Sequence, residues 1–231
     1  MSLIFKQFKD NISATYTYIA GNSNTKEVVI IDSVMENILD YVNFLNENSL
    51  NLKYIIETHV HADHITGIKQ LKKYFPQAEI LISKHAAIQY EATRISDQDK
   101  IMLGDIPIQF FETTGHTNDS ISILIAQNRL CTGDCLFIGS CGRTDFQNGS
   151  NHDMFHSLRK ISNLPEDTLI YPGHDYQNRY VSNIKEELLQ NKMIKLLDSY
   201  ENFCAELNSW NLPPPKKIKE SVPANLNGGF E

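Results

Sequence analysis

The sequence predicts a layered α/β protein formed as a single domain, and three observations carry that expectation. Strand-like apolar runs alternate with amphipathic helical stretches along the chain. A length of 231 residues, 41% hydrophobic and 21% charged, suffices for one sizeable core of ordinary composition. The histidines cluster where apolar runs give way to short loops, as ligand-bearing loops do along the edge of a layered sheet.

Taken in order, "TYTYIA" and "EVVIID" read as a strand pair joined by the turn-rich "GNSNTK". "MENILDYVNFLNENSL" places Ile38, Leu39, Val42 and Leu45 at helical intervals and stops at Asn48. "LKYIIE" is a short buried strand, "TGIKQLKKYF" an amphipathic helix and "AEILIS" another strand. "IPIQFFET", "ISILIAQ", "RLCTGD" and "TLIYPGHD" follow as strands, with "DMFHSLRKISNL" and the long "NIKEELLQNKMIKLLDSYENFCAELN" as helices. No internal repeat and no low-complexity linker divides the chain. The prolines of "NLPPPKK" favour an extended backbone, so within one domain of residues 1–231, residues 211–231 are expected as a proline-led tail packed on the surface.

A formal charge of -7 argues against a nucleic-acid partner, because that affinity comes chiefly from Lys and Arg displacing counterions. The opening "MSLIFKQFKDNISATY" lacks the apolar core of a signal peptide, and no run is long enough to span a membrane, so a cytoplasmic protein is expected. Cys131, Cys135, Cys141 and Cys204 are too few for a disulfide framework and contain no C-x-x-C pair, so they are expected as small reduced core residues.

Four strand ends carry metal-ligating residue types. "YIIETHVHADH" holds His59, His61, Asp63 and His64; "IQFFETTGH" ends on His116, "RLCTGD" on Asp134, and "LIYPGHD" holds His174. Neutral imidazole and carboxylate suit zinc, iron or manganese without any thiolate. His59 and His61, two apart on an extended segment, point to the same side. Asp63 and His64 begin the next turn and can face a neighbouring position, so the spacing offers two potential metal sites. Packing alone does not call for three histidines and an aspartate within six residues, whereas the isolated His85, His152 and His156 are expected as ordinary surface or core residues.

The stretch "THVHADH", with Gly115-His116, Gly133-Asp134 and Gly173-His174, resembles the signature of the metallo-β-lactamase superfamily over about residues 10 to 185. The resemblance implies an αββα sandwich, two mixed β-sheets face to face with helices outside. Fold alone does not name the reaction. "HADHITG", "TGDCLFIGSCGRTDFQNGS", "YPGHDY" and the tail "NLPPPKKIKESVPANLNGG" are similar to the persulfide dioxygenases, glyoxalase II-related enzymes that oxidise glutathione persulfide with O2 and water to sulfite and glutathione. That likeness implies one Fe(II) per chain held by His59, His116 and Asp134, a face of two histidines and one carboxylate that leaves positions open for dioxygen and substrate. His61, Asp63, His64 and His174 then orient ligands and iron-bound water. They also complete the alternative, two Zn, Fe or Mn ions bridged by Asp134. Substrate contacts are implied for Arg143, whose planar fork suits a carboxylate, for Tyr176 and Tyr18, and for Asp175. The residues alone also allow Arg143 to pair with Asp145 and Tyr18 to belong to a half-buried strand.

One departure from the superfamily is "HTNDS" after His116, where H-T-P-G-S is more common; it puts the geometry of that loop in question. No fused rhodanese module is expected; the family often forms dimers, which leaves a homodimer open without the sequence deciding it. The competing enzymatic reading is a two-metal thioester hydrolase of the glyoxalase II type. From another class, the same scaffold could serve as a non-catalytic metal-binding or sulfur-sensing module.

Overall fold

Strand β2 (Tyr16–Asn22) shows why the sequence builds layers. Its alternate residues Tyr16, Tyr18 and Ala20 face one apolar cluster, while Ile19 faces another. The next strand, β3 (Glu27–Ile31), divides in the same way, with Val29 and Ile31 on one side and Val28 and Ile30 on the other. Strands buried on both faces need a layer on each side.

The computed structural model describes residues 3–230. In the first sheet, β1 (Leu3–Lys9), β2, β3, β4 (Asn51–Ile56), β5 (Glu79–Ser83) and β6 (Thr93–Ile95) lie in chain order; β1 to β3 pair antiparallel and β3 to β6 parallel. The second sheet is built from β7 (Lys100–Leu103), β8 (Ile106–Glu112), β9 (Ile121–Ile125), β10 (Arg129–Gly133), β13 (Leu169–Pro172) and β14 (Ser182–Asn183). A small hairpin, β11 (Leu136–Phe137) and β12 (Ser140–Cys141), follows β10. In the second sheet only β10 and β13 pair parallel, so both sheets are mixed. Ile56 and Leu81 of the first sheet meet Ile108, Phe110 and Ile123 of the second in the central core.

Helices cover the outer faces. α1 (Ile38–Glu47) and α2 (Ile68–Tyr74) lie on the first sheet, burying Tyr41, Leu45, Ile68 and Leu71 against Val28, Ile30 and Ile55. Leu39, expected on the buried stripe, is 63% exposed; Tyr41, three residues after Ile38, takes that place. On the second sheet, α3 (Asn151–Ser162) starts at Ser150, whose hydroxyl caps Asp153 N, and packs Met154, Leu158 and Ile161 on Leu130 and Ile170. The long helix expected over 183–208 is three: α4 (Ile184–Gln190), α5 (Lys192–Lys195) and α6 (Tyr200–Asn208). Asn191 breaks it, because its side chain caps Met193 N and Ile194 N while its amide donates to Phe137 O and Ser140 O. The result is the αββα sandwich.

The three prolines of the tail have no regular structure, but α7 (Ile218–Asn225) follows them and buries Ser221, Ala224 and Asn225. Among the described residues, no helix is long and apolar enough to cross a membrane. The cysteines are unpaired, and burial pushes the Cys135 thiol up to about 12 and those of Cys131 and Cys141 well above their ordinary value.

Candidate metal centre

The ends of β4, β8, β10 and β13 converge, and each ligand-type side chain is delivered by a short loop. Past β3, Asp32 accepts hydrogen bonds from Thr58 N at 2.7 Å and Thr58 Oγ1 at 2.9 Å, which holds the start of the histidine loop. Having given its hydrogen to Asp32, the Thr58 hydroxyl accepts from His59 Nδ1 at 3.0 Å. His116 Nδ1 donates to the carbonyl of Arg143 at 2.8 Å. Both imidazoles are therefore fixed through Nδ1, with Nε2 left as the ligand atom.

His116 can approach because Gly115 adopts φ 138°, and a Cβ there would stand 2.4 Å from the Met154 backbone. A bond from Gly173 N to Gly133 O, 2.8 Å, sets the ends of β10 and β13 side by side. Asp134 consequently lies between two histidines: Oδ2 is 3.5 Å from His116 Nε2 and Oδ1 is 3.5 Å from His174 Nε2. The donor atoms of His59, His116 and Asp134 all lie within 4.8 Å of one another. Asp134 Oδ1 is buried without a hydrogen bond, which fits a carboxylate that ligates a cation. Two imidazole nitrogens and a carboxylate suit a divalent transition metal.

The remaining predicted ligands surround this set. Asp63 Oδ2 is 3.0 Å from His64 Nδ1, 3.6 Å from His174 Nε2, and accepts from Thr15 Oγ1 at 2.9 Å. His61 Nε2 sits 3.1 Å from both Asp32 Oδ1 and Glu57 Oε2. Glu57, His61 and His64 make a second group of donors within 4.8 Å, and all three are buried. Burial opposes charge on His61, but Asp32 and Glu57 override it and raise its pKa well above the ordinary value. For His59, burial and the neighbouring imidazoles of His61 and His116 act together to keep the ring neutral. Burial would raise Asp63, yet His64 and His174 draw it well below the usual carboxylate range.

Asp32 and Glu57 were not singled out from the sequence. Both end apolar runs, "EVVIID" and "LKYIIE", as Asp134 ends "RLCTGD", and that shared position was the available signal. The "HTNDS" loop closes without Pro-Gly: Gly115 N bonds Thr117 O at 3.0 Å, and the hydroxyls of Thr117 and Ser120 meet at 2.7 Å.

Beside His174 lies a cavity of about 400 Å³ lined by Phe137, Ile138, Tyr176, Arg179, Trp210 and Leu212. Tyr176, 75% exposed, stacks parallel to His174 at 6.0 Å and forms one wall. The other expected substrate residues are placed differently. Tyr18 is buried in the central core with its hydroxyl on Pro172 O at 2.6 Å, because inward positions of β2 point between the sheets. Asp175 is 3% exposed and paired with Arg179 at 2.9 Å, and from that fixed position it lines the same cavity as Tyr176. The fork of Arg143 is not free: Nε and Nη2 grip Asp145 at 2.6 and 2.7 Å, and Nη1 donates to Pro213 O at 2.7 Å. That pair lines an adjoining hollow of about 280 Å³, which shares Trp210 and Leu212 with the first.

Residues 11–174 match the family model described as the metallo-beta-lactamase superfamily. The chain is 36% identical to human "Persulfide dioxygenase ETHE1, mitochondrial" over 231 aligned positions, covering 99% of this chain and 90% of that protein. It is 37% identical to the hydroxyacylglutathione hydrolase of Prochlorococcus marinus (strain NATL1A), with coverage of 79% of this chain and 74% of the relative. Among solved structures, that of ETHE1 from Myxococcus xanthus superposes with a TM-score of 0.93 at 39% identity, covering 98% of this chain and all of the other.

Proposed function

Because the chain belongs to the metallo-β-lactamase superfamily, whose fold hosts several reactions, we propose from its finer likenesses that it is an iron-dependent persulfide dioxygenase. It oxidises glutathione persulfide with O2 and water to sulfite and glutathione. One observation carries the reading: likeness to persulfide dioxygenases combines 36–37% identity with 99% of the chain, whereas hydroxyacylglutathione hydrolases match either over less of it, 79% at 37% identity, or at lower identity, 33% over 96%.

The donor set supports it. His59, His116 and Asp134 would hold one Fe(II), with both Nδ1 atoms already engaged by Thr58 and Arg143. Bound there, iron(II) supplies the electrons that ground-state dioxygen needs to react with closed-shell sulfur. The protein's own part is to place the persulfide. Phe137, Ile138, Trp210 and Leu212 offer carbon surface to the thiol carrier, and Tyr176 closes one side. A glutathione carboxylate reaching Arg143 exchanges places with Asp145, which is exposed and can swing away. A cytoplasmic location completes the reading, in keeping with four unpaired cysteines.

The placement of Asp63 and His174, 3.6 Å apart and beside Asp134, favours one alternative: a two-metal thioester hydrolase. The test sets the substrates side by side. Iron-reconstituted protein should take up oxygen on addition of glutathione persulfide and leave S-D-lactoylglutathione intact; hydrolysis of the thioester without oxygen uptake overturns the proposal.

A further inference from the structure

The segment from His59 to Thr66 has almost no regular secondary structure, although nearly all of it is buried. Its backbone groups must find partners elsewhere. Five of them are taken by side chains remote in sequence. Val60 N donates to Asp119 Oδ2 at 2.9 Å, and Val60 O accepts from Gln147 Nε2 at 2.7 Å. His61 O and His64 O accept from Asn225 Nδ2 at 2.9 and 2.8 Å, and Thr66 N donates to Asn225 Oδ1 at 2.8 Å.

None of these three side chains belongs to the ligand set or lines the cavity beside His174. Asp119 belongs to the "HTNDS" departure and is 3% exposed, so the residue that replaces the usual glycine ties the His116 loop to the peptide between His59 and His61. Gln147 ends "GRTDFQ" and stands with Asn148, φ 48° and 57°, at the centre of a tight turn closed by Gly149 N on Phe146 O at 2.8 Å. Asn225, also 3% exposed, closes α7 and uses both amide hydrogens and its oxygen, a pattern that neither Asp nor Leu can supply.

We propose that Asp119, Gln147 and Asn225 are positioning residues that fix the His59–Thr66 backbone and thereby the placement of His59 against His116 and Asp134. None touches the metal, yet metal affinity and geometry depend on all three. The inference rests on the reading of those residues as ligands. It does not depend on which reaction the metal serves.

Co(II) is the probe, because its visible absorption reports coordination geometry without turnover. Gln147→Ala and Asp119→Ala should each weaken Co(II) binding by about tenfold or more and change its spectrum. Asp119→Asn should restore most of the affinity, because its amide oxygen can still accept from Val60. Asn225→Ala should show the largest loss; if circular dichroism finds it unfolded, the Gln147 and Asp119 variants decide. Variants that melt earlier but bind Co(II) with wild-type affinity and spectrum have lost only stability, and that result overturns the proposal. So does an Asp119→Asn variant as weak as Asp119→Ala. A wild-type protein that binds Co(II) yet, with iron, consumes no oxygen counts against the dioxygenase reading and leaves this one standing.

Discussion

Gly142 is the most informative single position to perturb. A Cβ added there would stand 2.1 Å from the Asp134 carbonyl oxygen and 3.1 Å from His116 Nδ1. With a contact floor of 3.0 Å, the neighbouring chain must move by about 0.9 Å, the difference between the two distances. Metal sites hold ligand distances to within about 0.2 Å. Gly142→Ala should therefore cost about 100-fold in metal affinity, with an overpacking penalty of about 1 to 3 kcal/mol. For a chain of this size that penalty lowers the melting temperature by roughly 2 to 12 °C. Competitive metal titration and oxygen uptake, both below the melting temperature of the variant, separate the two effects. A Gly142→Ala protein with full metal content and wild-type turnover would show that the hairpin yields without disturbing Asp134 or His116, and the packing argument would fail.

Other outcomes follow from the same geometry. Arg143→Ala should leave iron content unchanged, since the carbonyl that orients His116 remains, while KM for glutathione persulfide rises and proteolysis near residues 211–217 accelerates; an unchanged KM removes Arg143 from substrate binding. Tyr18→Phe should lose about 1 kcal/mol of stability through its bond to Pro172 O and keep KM, whereas a KM change would return Tyr18 to the cavity. Because burial holds the Cys135 thiol near 12, only about one molecule in ten thousand carries its thiolate at pH 8. Iodoacetamide on the folded protein should therefore spare Cys131, Cys135 and Cys141, and mass spectrometry showing rapid labelling of any of them refutes this.

Much of the fold was legible because it depends on local periodicity. The strands that alternate or run apolar, and α1 to α3, lie where "TYTYIA", "EVVIID" and "LKYIIE" and the helical stretches predict. What the pattern does not contain is competition between a helix and a side chain: Asn191 divides the expected long helix because it bonds the β11–β12 hairpin, a partner some fifty residues away. Edge and short strands such as β1, β6 and β7 escaped for a related reason, since partial burial leaves little alternation to read. At the site, residue types and their places at strand ends singled out seven side chains that the fold brings together, because both signals are written in the sequence itself. Their supports were silent. Asp32, Glu57, Asp119 and Asn225 act through hydrogen bonds to backbone or imidazole, and no spacing rule marks a residue whose partner is decided by topology.

The proposal that one iron serves an oxygenase is tested most directly by following the initial rate of oxygen consumption with glutathione persulfide while iron is titrated into metal-free protein. The account predicts a rate that rises in proportion to iron, levels off at about one iron per chain, and yields one sulfite per dioxygen consumed. Activity that needs a second metal, or turnover of S-D-lactoylglutathione under anaerobic conditions at the same loading, would contradict it.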